Sequence, residues 1–416
     1  MSKYIIDGGN SLYGCIKVQG AKNAVLPIFA ACVLTGEEVV IKNVPELADV
    51  VSMENILMNL GVKIKKEGDR RIICAKEMVS DDIPNELAKE LRSSVFLLGS
   101  VLGRMKRAKV AYPGGCDIGL RPIDIHIKGL RDMNVKIEER AGYLYCDGSR
   151  MVGQEMCLDY PSVGATENVM LAAVLAKGET VICNAAREPE IVDLQNFLNS
   201  LGAKVRGGGT SKIHITGVNR LHGGEYAVMP DRICLGTWVI ATCMCGGEVA
   251  LFGCGKGEIN SLLCKLDKSS CHIVEESGNM YIKASPYPRC PERVTTQPYP
   301  GFPTDLQAQF CAYASRSRGT CVITENIFEN RFRHVPELMK MGADITIRDR
   351  VAIIRGVPDF FGAEVTARDL RGGAALVLAG LVAQGKTIVN DVKHIDRGYE
   401  AMEETLCKVG AKIVRL

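Results

Sequence analysis

The segment YPGGCDIGLRP places Cys116 behind two glycines and ahead of Arg121, in a stretch bounded by Pro113 and Pro122. A structural cysteine behaves as a small hydrophobe and sits among apolar side chains, so a thiol on a glycine-flanked, charged loop is a candidate for chemistry. Arg121 holds the means to grip phosphate or carboxylate through two parallel hydrogen bonds. A nearby cation lowers a thiol pKa, yet a thiol that donates a proton must keep it until the transition state, so the charge of the substrate has to oppose the arginine. The alternative is an accidentally exposed cysteine.

Five further stretches break the apolar pattern with polar groups. In VQGAKNAVLP, Lys22 and Asn23 stand before an apolar helical run, where an ammonium, an amide and helix N–H groups can converge on an anion; a solvated lysine is the plainer reading. In YPSVGATEN, from Tyr160 to Asn168, hydroxyls and backbone N–H groups fall at a strand-to-helix junction, suited to a diphosphate or to ordinary N-capping by Ser162 or Thr166. In YPGFPTDLQAQF, Asp305 follows a proline-glycine turn and precedes a helix, as a cap or as a general base. ARDLRGGAAL and KHIDRGYE put Asp369, Arg371 and Arg397 at predicted helix starts. Arginine there is opposed by the macrodipole, which suggests an anionic ligand, or salt bridges with Asp369 and Asp396. His126 and His394 lack an accompanying H-E-x-x-H or carboxylate cluster, so no metal is assigned.

The chain must build elements to carry these groups, and its composition is that of a globular protein with two domains. With 51 basic against 48 acidic residues the net charge is only +3, so no global field draws the chain to nucleic acid or an anionic membrane, and anion binding has to be local. The 17 cysteines form no C-x-x-C pair, which argues for a reducing compartment rather than a disulfide framework or zinc ribbon. No signal peptide is visible, and apolar runs such as TWVIATCMC and AALVLAGLVA are too short to cross a bilayer, so membrane insertion is not expected and a cytoplasmic location is.

One pattern recurs six times. ENILMNLGVKI, HIKGLRDMNVKIEER, LQNFLNSLGAKV, VPELMKMGADITI, MEETLCKVGAKIVRL and the weaker INSLLCKLDKSSCHIVEE each join helical spacing to a tight turn and an alternating strand. The turn residues are Gly61, Asn134, Gly202, Lys268, Gly342 and Gly410, and the glycines and the asparagine suit the left-handed position that ends a helix. Alternating residues in GVKIKKEGDRRIICA and GGTSKIHITGV predict a hairpin after the turn. The repeats specify architecture rather than activity.

The motifs GAKNAVLP, PGGCDIGLRPIDIHIKGL, PSVGAT, NAAREPEIVDLQNFL, PGFPTDLQAQF, ENIFENRF, ARDLRGGAAL and HIDRGYE together resemble the UDP-N-acetylglucosamine 1-carboxyvinyltransferase family, from about Gly8 to the C-terminus. The resemblance implies an inverted (inside-out) α/β barrel of the EPSP synthase type, with two similar domains of three modules each: residues 1–20 plus 230–416, and residues 21–229 carrying the Cys116 loop. It implies transfer of the enolpyruvyl group of phosphoenolpyruvate to the 3-hydroxyl of UDP-GlcNAc with release of phosphate, the first committed step toward bacterial peptidoglycan, without metal or organic cofactor. Two polyanions then have to be brought together, which requires several cations to cluster although the whole chain is nearly neutral.

Residue by residue, the resemblance assigns phosphoenolpyruvate to Lys22, Asn23, Arg121 and Arg397, and the UDP-GlcNAc side to Arg92. It assigns the sugar hydroxyl to Asp305, and uridine and diphosphate contacts to Arg121, Pro122, Ile123, Asp124, Ile125, Tyr160, Pro161, Ser162, Val163 and Ile327. Asp369 and Arg371 match further polar residues of the cleft. Cys116 matches the cysteine that protonates the methylene carbon of phosphoenolpyruvate or captures phosphoenolpyruvate as a thioether adduct, and that fosfomycin alkylates; a mobile loop suits an acid that must close over its substrate. Tyr160 stands where some members have lysine, and Cys234 and Leu235 stand where the family more often has glutamate and a small residue. Competing readings are the related transferase acting on shikimate 3-phosphate, which lacks the loop cysteine, an RNA 3'-terminal phosphate cyclase, and a non-catalytic or regulatory paralogue.

Overall fold

The computed structural model describes residues 2–83, 95–111, 123–267 and 270–416. Arg92, Cys116, Arg121, Pro122 and the turn residue Lys268 therefore lie outside the described residues. The described residues divide into two compact units, one of 20–83, 95–111 and 123–229 and the other of 2–19, 230–267 and 270–416.

In the first unit the architecture follows from three helices that are mostly apolar and buried on nearly every side. These are α1 (Lys22–Cys32), α3 (Phe96–Met105) and α5 (Val163–Ala173); Ala24 to Cys32 and Ala165 to Ala173 are buried without a break. A helix with no polar face has to be covered all round. The helices α2 (Ala48–Asn59), α4 (Asp124–Asp132) and α6 (Pro189–Ser200) alternate with them and keep one polar face. Backbones approach closely where α3 meets α5: a Cβ at Gly99 would lie 2.1 Å from the Asn168 carbonyl oxygen, so only glycine fits.

Each module runs core helix, strand, outer helix, hairpin. The first is α1, Glu38–Lys42, α2, then Lys63–Glu67 paired antiparallel with Arg70–Cys74. A fourth strand joins in parallel from the chain just before the next module: Asp82–Ile83 beside Arg107–Ala111, and Glu155–Cys157 beside Glu179–Cys183. The last such strand, Gly224–Ala227, pairs with Glu38–Lys42 of the first module and completes the cycle. The result is three separate four-stranded sheets around buried helices, helices inside and strands outside.

The second unit repeats the plan with α7 (Arg232–Cys245), α9 (Gln307–Ser315) and α11 (Leu370–Leu381) as core helices, and α8 (Asn260–Leu263), α10 (Val335–Lys340) and α12 (Met402–Cys407) outside. Every residue of α7 and α9 is buried. The last module departs from the expected order, because Lys412–Arg415 has no following strand of its own. Lys3–Asp7 fills that place, with Ile5 opposite both Ile388 and Val414.

The turn residues take the conformation that their types allow: Gly61, Asn134, Gly202, Gly342 and Gly410 have φ of 94°, 65°, 94°, 99° and 100°. In each case the next residue donates its N–H back into the last helical turn, as Val62 does to Leu57 and Ala411 to Leu406. The runs TWVIATCMC and AALVLAGLVA lie in α7 and α11, and among the described residues no helix is long and apolar enough to cross a membrane.

Candidate active site

In the second unit, the turn before α9 delivers Asp305 to a pair of arginines. Its Oδ1 accepts a hydrogen bond from Arg331 Nη2 at 2.6 Å and its Oδ2 one from Arg371 Nη2 at 3.0 Å. The two guanidinium groups are almost wholly buried, 4% and 3% exposed, whereas the Asp305 side chain is 26% exposed, so the carboxylate is the member of the cluster that a ligand can reach. Burial alone would lower the Arg371 pKa, but the negative charges around it, that of Asp305 first and that of Asp231 further off, hold it above the ordinary arginine value. Arg371 also lies over the Tyr399 ring, 5.6 Å from its centre. The Tyr399 hydroxyl is fixed by Thr237 and Gln309, each at 2.9 Å, and burial pushes its pKa up to about 12, so it stays protonated.

Asp305 therefore does not cap a helix; its carboxylate is committed to arginine. Asp369 is the capping residue, its Oδ1 accepting from the N–H groups of Arg371 at 3.0 Å and Gly372 at 2.9 Å. The salt bridges considered for Arg371 and Arg397 take another form: Arg371 pairs with Asp305, and Asp396 pairs with Arg415 at 2.5 Å. Arg397 ends the short helix Val392–Arg397 and is partly exposed. Cys234 and Leu235 are both fully buried in α7, the Cys234 thiol donating to the Gly398 carbonyl at 3.4 Å, immediately after Arg397.

Sequence reasoning gave no role to Arg331 or Glu325, although both fall within or beside ENIFENRF. Glu325 is fully buried and ties three segments together. Its Oε1 accepts from Thr296 Oγ1 at 2.9 Å and Ile327 N at 2.8 Å, and its Oε2 from Thr304 Oγ1 at 2.9 Å. It thus fixes the residue before Asp305 and the backbone of Ile327 at once. Its signal was a carboxylate ending an apolar strand, where burial demands a full set of donors.

In the first unit, Lys22 and Asn23 are the first two residues of α1. The cap position is Ala21, whose side chain accepts nothing, so the first N–H groups of the helix have no side-chain partner there. Lys22 Nζ lies 3.2 Å from Asp49 Oδ2, both side chains largely buried. Gly20 is required beside them, since a Cβ would lie 1.9 Å from the Asn43 carbonyl oxygen. Uncapped N–H groups and a held ammonium at one helix start favour an anion.

Ser162 is the N-cap of α5, its Oγ accepting from Ala165 N at 3.3 Å, with Tyr160 exposed and Pro161 and Val163 partly exposed beside it. Thr166 does not cap; its hydroxyl donates to the Ser162 carbonyl at 2.8 Å and accepts from Ala186 N at 3.1 Å. Ile123 is buried, while Asp124 and Ile125 open α4 toward the surface. His126 contacts Asn168 at 3.1 Å, and burial pushes its pKa down to about 4 against the pull of Asp124, so it packs as a neutral ring.

Next to Thr166, Glu167 is 1% exposed and neither carboxyl oxygen has a hydrogen-bond partner among the described residues. Burial first, then the charges of Glu190 and Glu188, raise its pKa well above the ordinary value. A carboxyl that takes up a proton on folding contributes stability at low pH that is lost as pH rises above the unfolded carboxylate pKa of about 4.3. Glu167→Gln should therefore melt higher than the parent at pH 8, with the difference shrinking toward pH 4. Parallel melting curves across that range would remove the protonation argument.

A cavity of about 650 Å³ in the first unit lies elsewhere, at the C-terminal ends of α1, α3 and α5. Two of its cations are tied to backbone carbonyls: Lys106 Nζ donates to Gly103 and Leu175 at helix ends, and Arg104 donates to Ala75 just after the strand Arg70–Cys74.

Comparison with known proteins agrees with the modules and motifs. Residues 6–406 match the model of the family described as EPSP synthase (3-phosphoshikimate 1-carboxyvinyltransferase). The chain is 50% identical to UDP-N-acetylglucosamine 1-carboxyvinyltransferase 2 of Caldanaerobacter subterraneus subsp. tengcongensis, covering 100% of both, and 47% identical to UDP-N-acetylglucosamine 1-carboxyvinyltransferase of Nitratidesulfovibrio vulgaris, covering 100% of this chain and 99% of that one. Among solved structures, the enolpyruvyl transferase NikO from Streptomyces tendae superposes with a TM-score of 0.88 at 23% identity over 100% of this chain and 98% of that one. EPSP synthase from Acinetobacter baumannii gives 0.77 at 18% over 100% of both, so the inverted α/β fold is shared where sequence is not. With full-length likeness on this scale, the chain belongs to the UDP-N-acetylglucosamine 1-carboxyvinyltransferase family of EPSP synthase-like enolpyruvyl transferases.

Proposed function

We propose that the protein transfers the enolpyruvyl group of phosphoenolpyruvate to the 3-hydroxyl of UDP-N-acetylglucosamine, releasing phosphate, in the cytoplasm and as the first committed step of peptidoglycan synthesis. The observation that carries this reading is the 50% identity, over the whole of both chains, to an enzyme of that name. The geometry of the described residues supports the roles. Asp305, partly exposed between two buried arginines, accepts the proton of the sugar hydroxyl as its oxygen bonds to carbon 2 of phosphoenolpyruvate. Cys116 supplies a proton to the methylene carbon. Loss of phosphate and of a methyl proton then regenerates the double bond, now on the sugar ether. Lys22, the uncapped N–H groups of α1 and Arg397 offset the charge of phosphoenolpyruvate, and Ser162 with its neighbours meets the nucleotide.

The test is phosphate release from phosphoenolpyruvate with and without UDP-GlcNAc. Release that depends on the sugar nucleotide is expected. Release at the same rate without it, or none in its presence, would overturn the proposal.

A further inference from the structure

Two thiols meet inside the second unit, apart from every residue used above. Cys243 belongs to the last turn of core helix α7, and Cys271 opens the strand Cys271–Glu276 of the outer sheet. The Cys243 Sγ–H donates to Cys271 Sγ at 3.0 Å, and the two residues are 1% and 8% exposed. The internal repeat gives an independent measure of how unusual this is. Two residues before the apolar strand residue that corresponds to Ile273, the other five modules carry Val62, Val135, Ala203, Ala343 and Ala411, all buried aliphatic side chains. Packing at this place needs a small apolar group; it does not need sulfur, and still less a second sulfur in contact with it.

We propose that Cys243 and Cys271 form an oxidisable pair that closes to a disulfide on reaction with a peroxide, tying the end of the core helix to the outer sheet. The shared hydrogen bond sets the order of events. It raises the Cys243 pKa and lowers that of Cys271, so Cys271 is the sulfur that ionises first, and it is also the more exposed of the two. The Cys271 thiolate attacks one oxygen of hydrogen peroxide; an S–O bond forms, the O–O bond breaks, and hydroxide leaves, taking up the thiol proton as water. Cys243 then gives up its proton and its sulfur attacks the sulfenic sulfur; the S–S bond forms, the S–O bond breaks, and a second water departs. The thiols lose two electrons and the peroxide gains them. Closing from 3.0 Å to a disulfide requires about 1 Å of side-chain movement.

The full-length chain is exposed to graded hydrogen peroxide, unfolded, blocked with N-ethylmaleimide, digested without reductant and mapped by mass spectrometry. The expected result is a peptide pair joined through Cys243 and Cys271, lighter by two hydrogens and separated by dithiothreitol. A loop of about 30 residues closed in this way should raise the melting temperature by roughly 5–10 °C over Cys271→Ala treated alike. Cys271→Ala places the residue that three sister modules carry, so it should fold, and should lose both the linked pair and the rise. Cys243→Ala gives a second check. If both thiols remain open to alkylation at peroxide concentrations that oxidise the exposed Cys15 and Cys407, or if either links to another cysteine instead, the proposal falls.

Discussion

Replacing Asp305 by alanine should lower turnover by about 100- to 10,000-fold, the range that a positioned general base contributes. The geometry sharpens this expectation in two ways. The carboxylate is the exposed member of a cluster whose other members, Arg331 and Arg371, are buried, so no neighbour of the same chemistry stands ready to replace it. Its loss also takes the carboxylate from two buried guanidinium groups, leaving Arg331 with the Thr304 carbonyl, and the variant should be less stable as well as slower. Asp305→Asn separates the two effects, because the amide oxygen still accepts one arginine hydrogen bond while the group can no longer take a proton at working pH. Turnover measured well below each variant's melting temperature should be low in both. A rate within a few-fold of the parent for Asp305→Asn would strip Asp305 of the base role and leave it a structural partner of the arginines.

Arg371→Met should be the most destabilising single change in the cluster. The methionine fills much of the volume beside Tyr399 but abandons half of the Asp305 clamp. Breaking one side of a buried pair costs about 3–5 kcal/mol, and the lower end applies here because Asp305 keeps Arg331 and part of its contact with water. That corresponds to a fall in melting temperature of roughly 6–12 °C. Activity should fall as well, since an unclamped carboxylate no longer points in one direction. Thermal unfolding checks the first part and turnover on the folded variant the second. A melting temperature within a degree of the parent would mean that the clamp contributes little.

The modules were legible in the sequence because their signals are local. A 3.6-residue apolar period, a glycine or asparagine at the turn, and an alternating strand all operate within about 20 residues, and five of the six turn residues have the left-handed φ that their types suggested. What local pattern could not supply was pairing across the chain. Nothing near MEETLCKVGAKIVRL shows that its missing strand is Lys3–Asp7, and nothing near Asp305 shows that its partners are Arg331 and Arg371. Asp369 and Asp305 illustrate the difference. Both are aspartates near a helix start; the sequence offered Asp305 as a cap and Asp369 as a salt-bridge partner, and the structure reverses the two, because Asp305 meets buried arginines delivered by other modules. Glu325 and Glu167 were missed for a related reason. Burial of a carboxylate is a property of the packed unit, and two glutamates in similar T-E-N contexts find opposite fates: Glu325 a full set of donors, Glu167 none among the described residues.

The most direct measurement is the identity of the acceptor. The protein is incubated with phosphoenolpyruvate and an equimolar mixture of UDP-GlcNAc and shikimate 3-phosphate, and products are followed by mass. Conversion of UDP-GlcNAc to its enolpyruvyl ether, matched mole for mole by phosphate and with shikimate 3-phosphate untouched, is the predicted result. Consumption of shikimate 3-phosphate in its place, or recovery of both acceptors unchanged, would contradict it.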